Sequence, residues 1–76
     1  MKGSAMEHTY AVIAEATETG YSAYVPDLPG CVATGATLAE LQTNMQVAIT
    51  MHLDGLRADG EAVPLPRTQV LILAAA

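Results

Sequence analysis

The sequence contains no tryptophan and no phenylalanine, and three tyrosines are its whole aromatic content. An interior built without large rings must be packed from Val, Ile, Leu, Met and Ala, and it forgoes the area that each buried aromatic contributes. Cysteine is almost absent: Cys31 stands alone, which excludes an internal disulfide and fits a reducing compartment. Basic residues are few. Three Lys+Arg against eight Asp+Glu give a net charge of −5 with His neutral. A surface of that sign repels phosphate rather than releasing its counterions, so direct nucleic-acid binding is not expected. The longest apolar run, Val70 to Ala76, has seven residues, far short of the ~20 that span a bilayer. No membrane segment is expected. No charged stretch followed by an apolar run and a cleavage site opens the chain, so the expected address is the cytoplasm.

A length of 76 residues leaves room for one domain, which on folding buries only about 60% of the surface its extended chain exposes. Such a core is marginal, and self-association to a dimer or tetramer is expected to supplement it. Residues 1–7 carry no pattern and include a second methionine, Met6; they read as a frayed or cloning-derived end. Residues 8–76 read as one domain.

From His8 to Glu15 the alternation of Tyr10, Val12 and Ala14 with Thr9, Ala11, Ile13 and Glu15 has the two-residue period of a strand. Thr17-Glu18-Thr19-Gly20 then supplies a polar turn, and Tyr21–Val25 is aromatic and β-branched, which completes a hairpin. Pro26 and Pro29 lack amide hydrogens and forbid a ladder through Gly30. Cys31–Thr34 resumes as a short third strand, interrupted by Gly35.

Thr37-Leu38-Ala39-Glu40 is a capping box: the Thr hydroxyl accepts from the amide three residues on, and Glu40 reaches back to the cap amide. A helix is therefore predicted from Leu38. Leu38, Leu41, Met45, Ala48, Ile49, His52, Leu53 and Leu56 recur at three- and four-residue steps and form the stripe that faces the sheet. Asp59-Gly60 fits its end. Pro64 and Pro66 make the return extended, and Thr68–Leu73 reads as a last strand. The order is β-β-β-α-β, an α+β domain with one antiparallel sheet and one helix packed on one face.

No metal or other cofactor is expected, because neither His8 nor His52 has a Cys or His partner at ligand spacing. His52 reads as a boundary residue of the helix stripe. Cys31 has no base in a local motif and reads as a small apolar residue at a strand start. Glu40, Asp59 and Glu18 have structural explanations in the cap, the helix end and the turn. Glu15, Asp27 and Asp54 remain; they could converge as a metal-dependent nuclease site, or lie solvated. The loop Pro26-Asp27-Leu28-Pro29-Gly30 reads either as a simple connection or as a rigid platform that holds Asp27 and Leu28 outwards for a partner.

The stretch Gly20–Cys31, GYSAYVPDLPGC, followed by Gly35-Ala36-Thr37-Leu38-Ala39-Glu40 opening a helix, resembles the HicB antitoxin family of toxin-antitoxin modules over about Tyr10 to Leu73. The resemblance implies a degraded RNase H-like fold that is not itself an enzyme. It also implies a protein partner, HicA, a small basic toxin that cleaves mRNA and that the antitoxin binds and inhibits. Family members typically continue into an operator-binding segment, and this chain stops after its last predicted strand, so a stand-alone form without that segment is expected. Tyr24, Asp27, Leu28 and Pro29 are the expected partner-binding residues. The alternatives are a metal-dependent RNase H-like nuclease and a self-assembling structural domain.

Overall fold

A computed structural model describes residues 8–76, so the reading of residues 1–7 lies outside the described residues. The polar turn forms as its residues dictate: the Thr17 amide donates to the Gly20 carbonyl at 2.8 Å, and the Gly20 amide donates to Thr17 Oγ1 at 3.1 Å. Strand β1 (Ile13–Ala16) thereby folds back on β2 (Tyr21–Tyr24), with Ile13 opposite Tyr24 and Ala16 opposite Tyr21. Strand β3 (Val32–Gly35) pairs antiparallel on the other side of β2, giving the order β1-β2-β3.

The register sorts the side chains into two faces. Ala14, Ala23 and Ala33 form one row across the strands, and Ala16, Tyr21 and Gly35 form the next on that same face. This is the face that meets the helix, and Ala23 is buried there. The opposite face carries an apolar row, Ile13, Tyr24 and Val32, beside a polar row, Glu15, Ser22 and Thr34.

Helix α1 (Leu38–Ala58) begins at the predicted cap: Thr37 Oγ1 accepts from the Glu40 amide at 3.1 Å. The reciprocal bond differs from the expectation. Glu40 Oε1 accepts from the Ala36 amide at 2.6 Å, one residue before the cap, so the box also fixes the chain entering the helix. The far end closes as a Schellman motif. The Gly60 amide donates to Arg57 and the Glu61 amide to Leu56, with Gly60 at φ 73°. The helix packs on β3 and β2, while among the described residues it makes no close approach to β1.

Gly35 is what lets the helix sit so near. A Cβ there would lie 2.5 Å from the Leu41 amide nitrogen and 2.8 Å from its Cα, so any side chain pushes sheet and helix apart. Gly35 ends β3 instead of interrupting it. The core beneath consists of Ala23, Val25, Leu28, Cys31, Leu41 and Met45, with Tyr10, Tyr21, Ile49 and Leu53 packed against it. Of the predicted stripe, Leu38 stays exposed at the helix start.

Two predicted elements are corrected. β1 starts at Ile13, not at His8: the position on β2 that would continue the β1 ladder beyond Tyr24 is Pro26, which has no amide hydrogen to offer. Thr68–Leu73 forms no ladder. Its path is fixed instead by side chains of the sheet end: the Tyr10 hydroxyl donates to the Pro64 carbonyl, and Asp27 accepts from the amides of Arg67 and Thr68. The chain is thus led from the segment before β1 towards the loop after β2.

Candidate functional site

The proline loop is two tandem turns. The Leu28 amide donates to Val25 O at 3.0 Å, and the Cys31 amide donates to Leu28 O at 3.0 Å. In the second turn Pro29 holds the first central position and Gly30, at φ 88°, the next, the geometry of a type II turn that requires a residue without Cβ strain. A third bond, from the Val25 amide to Cys31 O at 3.1 Å, closes the loop at its base.

Leu28 is the shared corner of both turns, and it points inward, 0% exposed. The expectation that two prolines hold Leu28 outwards is therefore corrected. The turns direct its side chain under the sheet end, where Val25, Cys31 and Met45 belong to the same core. Pro29 and Gly30 remain exposed, and Tyr24, at the root of the loop, is 46% exposed on the outer sheet face.

Asp27 is not a free recognition group either. Its Oδ2 accepts from the amides of Arg67 at 2.8 Å and Thr68 at 2.9 Å, and its Oδ1 accepts from Thr68 Oγ1 at 2.8 Å. These bonds hold its carboxyl below the usual carboxylate range, the Arg67 amide contributing most. Sequence reasoning missed Thr68 and Tyr10 as the fixing points of the tail. Nothing local marks them, since the bonds span 41 and 54 residues.

Among the described residues the remaining chemistry-bearing groups are not brought together. Asp54 pairs with Arg57 at 3.6 Å on the exposed helix face, and Glu15 lies in the outer polar row of the sheet. Burial pushes the Cys31 thiol up, away from a reactive thiolate. Among the described residues no group of three or more His, Cys, Asp or Glu is placed to hold a metal ion.

A three-stranded antiparallel sheet backed by one long helix, with an open outer face and a stiffened loop, defines a small α+β domain. A family described as "HicB_like antitoxin of bacterial toxin-antitoxin system" matches residues 10–75. The chain belongs to that family. It is similar to an uncharacterized 14.9 kDa protein from the rep-hol intergenic region of Haemophilus phage HP1, 40% identical over 55 residues, which cover 72% of this chain and 41% of that protein. A UPF0150 protein of Helicobacter pylori is 43% identical over 47 residues, or 62% of this chain and 65% of that protein. The chain thus spans less than two thirds of the length of these curated relatives. Among solved structures it is similar to a chain of the "HicA3 and HicB3 toxin-antitoxin complex", with a TM-score of 0.69 and 30% identity over 79% of this chain and 70% of that one. The α+β class is common to both. No helix among the described residues is long and apolar enough to cross a membrane.

Proposed function

We propose that this domain binds a HicA-type toxin in the cytoplasm and inhibits its cleavage of mRNA by masking the surface that holds RNA. The observation that carries the reading is the family match across residues 10–75, and likeness to a chain of a toxin-antitoxin complex supports it. The net charge of −5 supports it independently: an acidic domain is drawn to a surface built for phosphate, and complementary fields raise association rates.

The contact surface is the outer sheet face with the rim of the proline loop. There the apolar row of Ile13, Tyr24 and Val32 borders the polar row containing Glu15, and Pro29 extends it. Tyr24 is the anchor, since aromatic side chains dominate interface energetics. Asp27 and Leu28 serve this surface from behind, Asp27 by holding the tail and Leu28 by fixing the loop to the core.

The domain acts by binding and not by catalysis. The three carboxylates that a nuclease site would need, Asp27, Asp54 and Glu15, are engaged in structural bonds or spread over separate faces. Self-association is part of the same proposal, motivated by the small core and the exposed apolar residues Val70 to Leu73. Co-purification of the untagged domain with a tagged HicA-type toxin encoded beside its gene tests the partner. Retention is expected, and Tyr24→Ala should weaken it; failure of the wild-type domain to be retained overturns the reading.

A further inference from the structure

The helix and the sheet are out of register with one another, and the offset leaves a slot. Helix α1 rests on β3 and β2 and overhangs the space beside β1, which is an edge strand with unpaired backbone groups on its outer side. Between them runs a groove of about 530 Å³. Tyr10, Val12 and Ala14 line one wall, and Leu38, Met45 and Ile49 line the other. Its walls are mostly apolar, and the free edge of β1 borders it. A segment laid along that edge meets backbone donors and acceptors and directs alternate side chains into the groove beneath the helix, the two requirements of an added β-strand.

The same chain carries a segment of that character with no ladder partner among the described residues. Val70 to Leu73 is apolar, has no ladder partner and is exposed throughout, Ile72 at 92%. Four residues match the four residues of β1, and alternate side chains of a strand would face the helix and the solvent in turn. Its own groove is not where this tail is led. After the Tyr10 hydroxyl holds Pro64, Asp27 takes the Arg67 and Thr68 amides. Asp27 follows β2, and β2 lies on the side of β1 away from its free edge. The tether therefore carries the tail away from the slot of its own chain.

We infer that the tail of a second copy fills the groove, Val70 to Leu73 of each chain adding a fourth strand along β1 of the other. The inference rests on the self-association proposed above and names its contact. Reciprocal exchange makes an isologous dimer, the commonest closed symmetry. Alternate side chains of each tail enter the groove while the two strand edges pair, and reciprocal exchange doubles a contact that one tail alone would leave well short of the ~1,200 Å² at which specific interfaces begin. It also removes the liability of an exposed apolar segment beside an open sheet edge.

The test uses the full chain in two measurements. Sedimentation equilibrium at micromolar concentration should give twice the chain mass, and Leu71→Lys combined with Ile72→Lys should return it to the single mass. Both positions are exposed in the isolated chain, so circular dichroism should show the fold unchanged. In the second measurement a mass-tagged chain carrying Val12→Cys is mixed with untagged chains carrying Leu71→Cys or Ile72→Cys and mildly oxidised. A mixed-mass disulfide species from one of the two pairings is expected. A monomeric wild-type chain overturns both the self-association and the exchange. A dimer that survives the double lysine variant and gives no mixed species overturns the exchange alone. So does a chain carrying both cysteines that closes only on itself, which would place each tail in its own groove.

Discussion

Asp27 and Thr68 stand 41 residues apart in the chain and are joined by two hydrogen bonds, from the Thr68 amide to Oδ2 at 2.9 Å and from its hydroxyl to Oδ1 at 2.8 Å. With the Arg67 amide they fasten the tail across the end of the sheet. The acid that sequence analysis offered as an outward contact is thereby a latch within the chain.

That latch should respond to acid. The folded carboxyl titrates below its unfolded value, so its contribution is present above about pH 3.9, the unperturbed Asp value, and is lost as pH falls through the lower folded value. The amide resonances of Arg67 and Thr68, followed by NMR on acidification, should titrate together with a midpoint below 3.9. A midpoint at or above that value contradicts the latch.

Leu28 is a core residue, and its truncation should act on stability before it acts on binding. Leu28→Ala removes buried methyl groups from a fully covered corner, a change that costs about 2–5 kcal/mol. For a small domain this is a large part of the total. Urea denaturation should show a strongly lowered midpoint; an unchanged midpoint with lost toxin binding would place Leu28 in the interface.

Gly35 sets the distance between β3 and α1. Gly35→Ala places a methyl against the backbone of Leu41, which cannot move aside as a flexible side chain could. Overpacking of this kind costs about 1–3 kcal/mol. A denaturation midpoint equal to wild type would show that the helix shifts freely.

Thr37→Ala removes the side-chain acceptor of the Glu40 amide, a loss of about 0.5–2 kcal/mol. The Glu40 bond to Ala36 is left in place, so Thr37→Ala together with Glu40→Ala should lose more than Thr37→Ala alone. Equal midpoints for the single and double variants would show that the Glu40 bond adds nothing.

What was legible in the sequence was local. The cap at Thr37, the stop at Gly60 and the hairpin turn at Thr17–Gly20 each depend on residues a few positions apart, and each stands where expected, with the return bond of Glu40 falling one residue earlier, on Ala36. The proline loop was legible in stiffness but not in direction: two prolines fix turn geometry, while the burial of Leu28 depends on Met45 and Val25 waiting beneath it. The last strand misled for a related reason. Thr68–Leu73 has strand composition, but a strand needs a neighbour, and bonds from Tyr10 and Asp27 decide where the tail goes. The expected contact Tyr24 stands on the outer face through register alone, opposite Ile13 and Val32.

The most direct measurement is an RNA-cleavage assay in which increasing amounts of this domain are added to a fixed amount of a HicA-type toxin at physiological salt. Cleavage should fall in proportion to added domain and cease near stoichiometric amounts. Association should slow as salt rises, because exposed charges are screened beyond ~8 Å at physiological ionic strength. Undiminished cleavage in the presence of excess folded domain would contradict the antitoxin function.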